Sequence, residues 1–164
     1  FVYFADDFFL SKVPRAVQLK ETYEKTGKSV ITLTEVAKKD ADKYGMAAID
    51  KKLDDHTFQL SQLVEKPGEA NAPSNFASVG GYLLTPEIWK YIGSEKVDAR
   101  GEITMADYIN ELAQDDEVYG RFIEGTWHDT GDPMKYLLAV LDVALANPEY
   151  GDKLKDFLRE RLER

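Results

Sequence analysis

Apolar, β-branched runs alternate along this chain with segments that carry helix start and stop signals. That alternation constrains its class more than any other feature. Ser29–Glu35 (SVITLTE), Phe58–Lys66, Val79–Leu84 and Val118–Glu124 read as strands. Phe1–Phe4 is an aromatic run that reads as a strand buried on both faces. Pro14 opens a helix that closes near Gly27, with Val17, Leu19 and Tyr23 among its apolar positions. Pro86 starts a short helix through Trp89 and Ile92. Thr104 is an N-cap with Asp107 three residues on, a variant of the capping box that turns Ile109 and Leu112 inward. Asp132 and Pro133 suit the cap and first position of a helix to about Asn147, whose apolar stripe is Leu137, Leu138, Leu141, Ala144 and Leu145. Leu154–Arg164 is a final amphipathic helix. Strands alternating with helices specify an α/β fold, a mixed sheet with helices packed on it.

Composition narrows the function. The 164 residues fit one compact domain or part of a larger one. A net charge of −9 argues against a nucleic-acid partner, which requires a basic face. It leaves room for a small anionic substrate, because one lysine and a metal ion can reverse the local field. With no Cys, disulfides, zinc–thiolate sites and thiol nucleophiles are excluded, and having only His56 and His128 argues against a multi-histidine metal site. The longest apolar stretch, Tyr136–Ala146, is broken by Asp142 and falls short of the roughly 20 residues a membrane span needs. Asp6 and Asp7 sit inside Phe1–Leu10, which lacks the basic start of a signal peptide. The expectation is a cytoplasmic protein with no membrane partner.

Three groups of residues can carry chemistry. Asp6 and Asp7 follow the opening strand, and in open α/β sheets ligands bind beyond the carboxyl ends of strands. A carboxylate there can hold Mg²⁺, although a turn or a helix cap explains it as well. Asp129 occupies a similar place, after a strand and before a helix. Its neighbour Asp132 already supplies the cap, so two carboxylates from distant parts of the chain can share one Mg²⁺. Glu65 and Lys66 end a strand at Pro67. Neighbours in a regular strand face opposite ways, but the bend at Pro67 can turn both toward one ligand. A carboxylate suits sugar hydroxyls and an ammonium suits a phosphate, while an edge-strand charge pair is the plain alternative. Gly45, Gly80, Gly81 and Gly131 permit close approach of backbone to a ligand, a weak signal by itself.

In order, FADDFF (within Phe1–Phe9), YEKTGKSVI (Tyr23–Ile31), KYG (Lys43–Gly45), LVEKP (Leu63–Pro67), APSNFASVGGYLLTPEIW (Ala72–Trp89), GEITMADYI (Gly101–Ile109) and HDTGDPMKYL (His128–Leu137) resemble the sugar-1-phosphate nucleotidyltransferases. VEKP, APSN and GEI point to the bacterial UTP–glucose-1-phosphate uridylyltransferase branch. The resemblance implies a Rossmann-like, glycosyltransferase-A-like fold. It also implies formation of UDP-glucose and pyrophosphate from UTP and glucose 1-phosphate, with Mg²⁺ as cofactor. On this resemblance Asp6 and Asp129 hold the metal, Glu65 binds the glucose hydroxyls, and Lys66 meets the sugar phosphate. Gly45 and Gly80 line the sugar pocket. Asp6, Asp129 and Lys66 are then the catalytic set.

Two departures stand out. Phe4-Ala5 precedes the acidic pair where the family has Leu-Pro, and Gly81 follows Gly80 where the family often has arginine. The family's Gly-rich triphosphate loop and its uridine-reading segment have no counterpart in these residues. The resemblance therefore spans about 55–60% of a two-unit α/β enzyme. Residues 1–147 correspond to the sugar-phosphate part of the catalytic domain, and 148–164 to a helix suited to assembly. The expectation is a fragment with little turnover alone that forms a homo-oligomer. A sugar-phosphate-binding or assembly module, or a nucleotidyltransferase for another nucleotide, is the alternative.

Overall fold

A computed structural model describes residues 1–93, 101 and 103–163. Glu102 of the GEI segment and Arg164 of the closing helix lie outside the described residues. The element order is β1 (Val2–Tyr3), β2 (Asp7–Leu10), α1 (Arg15–Thr26), β3 (Ser29–Glu35), β4 (Gly45–Lys52), β5 (Thr57–Glu65), β6 (Phe76–Leu83), α2 (Met105–Asp115), β7 (Val118–Phe122), β8 (Thr126–Asp129), α3 (Pro133–Ala146) and α4 (Gly151–Leu162). The mixed α/β class follows from this order. The chain divides into two compact units, Phe1–Phe4 with Val13–Glu124, and Ala5–Lys12 with Gly125–Arg164.

The first unit is built on a six-stranded sheet in the order β1-β6-β3-β7-β5-β4. β3 and β7 run parallel, and the other pairings are antiparallel. β4 also pairs with β6 through Gly45–Ser78 and Met46–Ala77, so the pairings β3–β7–β5–β4–β6 return to β3. Ile31, Leu33, Phe58, Leu60, Leu63 and Val118 pack on one face with Ile109 and Leu112 of α2. The capping box that sets α2 is present, with the Thr104 side chain accepting from Asp107 N at 3.3 Å and Thr104 N donating to Asp107 Oδ2 at 3.2 Å.

Several expectations need correction. Phe1–Phe4 does not form a doubly buried strand. β1 holds two residues at the sheet edge and its side chains are exposed, because only β6 lies beside it. On α1 the buried residues are Gln18, Leu19 and Thr22, while Val17 and Tyr23 are exposed. Gln18 is held there by its side chain, which donates to Val13 O and Glu124 O and accepts from Glu124 N. β4 and the short strands β2 and β8 were not expected as strands. Charged Asp50, Lys51 and Lys52 hide β4, and Asp6-Asp7 reads as a terminator where the chain only turns into β2.

The second unit pairs β2 with β8, in the register Asp7–Asp129 to Leu10–Thr126. α3 follows, capped by Asp132, whose carboxylate accepts from Met134 N and Lys135 N, both at 3.0 Å. Of the expected apolar stripe of α3, Leu137, Leu138 and Leu141 are exposed, while Ala144 and Leu145 are half-buried. Leu137 is 56% and Leu138 52% accessible, and Ala139 is the one buried residue of the helix. Among the described residues no helix is long and apolar enough to cross a membrane.

Candidate functional site

Three of the predicted residues meet where β5 ends beside the start of β4. Gly45 and Glu65 are cross-strand partners. A Cβ on Gly45 would sit 3.1 Å from Glu65 Oε2, so the carboxylate lies over the glycine and a larger residue would press on it. The chain then turns sharply. Lys66 has φ +45°, in the left-handed region that non-glycine residues rarely enter. That turn undoes the strand alternation, and Lys66 Nζ stands 3.7 Å from Glu65 Oε1. The bend is tied down by Lys66 N donating to Tyr44 O at 3.1 Å and Gly68 N donating to Ala41 O at 3.3 Å. Both side chains keep solvent access. The arrangement presents a carboxylate, an ammonium and bare backbone side by side, which suits a ligand bearing hydroxyls and a phosphate.

Asn110, which sequence reasoning missed, steadies this end of β5. Its side chain accepts from Leu63 N at 2.7 Å and donates to Leu63 O at 2.8 Å. The only sequence signal is an amide residue inside a helix, where it is a weak helix former.

Gly80 is explained by packing. A Cβ there would lie 2.6 Å from the Cβ of Phe4, whose ring packs edge-on against Tyr82. Its backbone lies on β6, two residues beyond Ser78, the partner of Gly45.

The second unit brings Asp6 and Asp129 together. Thr130 N and Oγ1 donate to Asp6 O at 2.7 and 2.9 Å, which fixes the start of β2 beside the end of β8. A Cβ on Gly131 would be 3.3 Å from Asp129 Oδ1 and 3.7 Å from Asp6 Oδ2, so an oxygen of each carboxylate lies within 4 Å of that point. Gly131 N donates to Asp129 Oδ1 at 3.1 Å. Lys135 Nζ, another residue the sequence did not single out, pairs with Asp129 Oδ2 at 2.7 Å. It reaches Asp129 from the first turn of α3, a contact only the strand-to-helix geometry reveals. His128 has a packing role: it is buried and stacks on Phe8 with ring centroids 5.1 Å apart.

Two neighbouring carboxylates are hard oxygen donors and fit Mg²⁺, which uses one or two carboxylates and completes its shell with substrate phosphate and water. Among the described residues no group of three or more His, Cys, Asp or Glu could hold a metal.

A profile described as nucleotidyl transferase matches residues 1–145. The chain belongs to the nucleotidyl transferase family. It is 35% identical over 159 residues to a UTP–glucose-1-phosphate uridylyltransferase of Staphylococcus epidermidis, covering 97% of this chain and 55% of the relative. It is also similar to the crystal structure of a UDP-glucose pyrophosphorylase complexed with UDP-glucose. There the TM-score is 0.78 at 29% identity, over 84% of this chain and 52% of that one. For a UTP-bound enzyme of the same kind from Acinetobacter baumannii, the TM-score is 0.80 at 26% identity, over 94% and 54% of the two chains. This nucleotidyl transferase chain thus spans about half the length of the relatives it matches.

Proposed function

We propose that the chain serves a uridylyltransferase that makes UDP-glucose and pyrophosphate from UTP and glucose 1-phosphate. The observation that carries this reading is the turn at Lys66, which places an ammonium beside the Glu65 carboxylate over Gly45. Glu65 accepts hydrogen bonds from the glucose hydroxyls. Lys66 neutralises and orients the sugar phosphate. Gly45 gives backbone access on the sugar side, while Gly80 makes room for Phe4.

In the reaction a phosphate oxygen of glucose 1-phosphate attacks the α-phosphorus of UTP, and the bond from that phosphorus to the pyrophosphate oxygen breaks. The nucleophile belongs to the substrate, so the protein needs no nucleophilic side chain. It contributes positioning and charge neutralisation. Asp6 and Asp129 would hold Mg²⁺, which when bound offsets the negative charge of the phosphates. Lys135 holds Asp129 in place by its ion pair.

The names of the relatives support uridine over another base. The same reading assigns a cytoplasmic location, no nucleic-acid partner, and a homo-oligomer formed with the help of residues 148–164. Residues 1–147 then carry the ligands for sugar phosphate and metal.

Calorimetry with glucose 1-phosphate and Mg²⁺ tests the core of the proposal. Binding is expected, and Lys66→Ala should weaken it by about tenfold or more, the scale of a lost charge-assisted contact. Unchanged affinity in Lys66→Ala would refute the assignment. Binding without turnover is the reading to adopt if substrate binds yet the full-length enzyme makes no UDP-glucose.

A further inference from the structure

We propose that the sheet face beneath α1 carries a second anion site, for a phosphate group, built from Arg121, Thr32 and Arg15. Arg121 on β7 is only 7% exposed. Its partner across the parallel pairing is Thr32 on β3 and across the antiparallel pairing is Thr57 on β5, so the three side chains share one face. That face is opposite the one where Ile31, Leu33 and Val118 form the core.

The guanidinium is poorly matched by the protein itself. Among the described residues its buried Nε has no hydrogen-bond partner. Its Nη2 lies 3.7 Å from Glu124 Oε2, too far for a hydrogen bond, and that glutamate side chain is 62% accessible. A guanidinium has five N–H donors and stays charged, so a buried Nε–H left without an acceptor carries a desolvation cost.

The neighbouring groups point the same way. Thr32 Oγ1 is also buried and has no partner among the described residues. A Cβ on Gly81 would meet Thr32 Oγ1 at 2.8 Å and Arg15 Nη1 at 3.0 Å. The Arg15 guanidinium therefore reaches the β6 side of Thr32, while Arg121 flanks it on the β7 side. Two forked cations around one hydroxyl match the oxygens of a phosphate, which accepts several N–H bonds at once. In a chain of net charge −9 this is a local reversal of sign. The site is separate from the Glu65–Lys66 cluster: Thr57 and Glu65 are at opposite ends of β5, about 26 Å apart at the usual strand rise.

The test is a titration of the chain with inorganic phosphate, followed by NMR of the arginine Nε–H groups. A saturable shift of the Arg121 Nε–H resonance is expected, and it should persist in Lys66→Ala. Arg121→Gln should weaken phosphate binding by about tenfold or more, and Arg121→Lys should not restore it, because an ammonium lacks the fork. Glu124→Gln should tighten binding by removing the carboxylate that competes for the same guanidinium. An Arg121 resonance unmoved by phosphate up to about 10 mM, the weak end of specific binding, would overturn the proposal. So would equal affinity in Arg121→Gln. If Arg121→Gln does not fold, the wild-type titration decides alone.

Discussion

Lys66 shows how much one backbone angle can decide. A lysine at φ +45° carries a conformational cost that glycine would not. The fold keeps the lysine, which is expected where the side chain has work to do. Replacing it separates the two effects. Lys66→Gly should be at least as stable as the wild type, gaining up to about 1 kcal/mol from relief of strain, while losing glucose 1-phosphate affinity. Lys66→Ala should lose affinity without that gain. Urea midpoints and calorimetry on the two variants check this, and a Lys66→Gly chain markedly less stable than the wild type would show that the turn is not strained. The Glu65–Lys66 pair was legible in the sequence because Pro67 announces a bend. The Asp129–Lys135 pair was not, since it depends on how the chain passes from β8 into α3. Nor was the role of Gly80, which exists only because Phe4 folds back onto β6.

Among the elements, those with local punctuation were legible. α2 has its capping box, α3 its Asp132 cap and Pro133, α1 its Gly27 in the left-handed conformation, and β3 its β-branched run. What local signals do not encode is which neighbour an element meets. The β4–β6 pairing joins residues more than 30 positions apart, and nothing in GMAAIDKK announces it. The apolar residues of α3 were read correctly as a stripe but not as an exposed one. Asn110 belongs with these long-range features, because it completes the hydrogen bonding of β5 from a helix. Asn110→Ala leaves the N–H and C=O of buried Leu63 without those partners. The expected cost is about 1–3 kcal/mol, read as a lower urea midpoint. Looser glucose 1-phosphate binding should accompany it, since Leu63 is two residues from Glu65. Unchanged stability would mean that water replaces the amide without loss.

For the whole molecule, two properties follow from charge and exposed surface. Lys28, before β3, is bound to Asp116, before β7. The hydrogen bond from Lys28 holds the Asp116 carboxyl below its ordinary range, and the same bond raises the Lys28 ammonium above its own. A depressed carboxyl contributes stability above its unfolded value, about 3.9, and loses it as pH falls through the folded value. A raised ammonium contributes below its unfolded value, about 10.4, and loses it as pH rises through the folded one. Asp116→Asn should therefore be less stable than the wild type at pH 7, with the gap closing below about pH 4 and again above about pH 10. A gap that stays constant between neutral and acid pH would refute the linkage.

The second property is association. Met134, Leu137, Leu138 and Val140 are 63%, 56%, 52% and 47% accessible on α3, which carries few charges. Soluble monomers seldom leave so much apolar helix in water, and a second copy of the chain would offer a matching surface. Sedimentation at tens of micromolar, the range where modest interfaces are populated, should show a dimer or larger species. Leu137 and Leu141 are four residues apart and lie on one side of the helix. Both are accessible, so Leu137→Glu with Leu141→Glu should leave the fold intact, shown by an unchanged urea midpoint, and shift the chain to monomer. A wild-type chain that sediments as a monomer would remove the case for the homo-oligomer, and an oligomer untouched by the double variant would move the interface off α3.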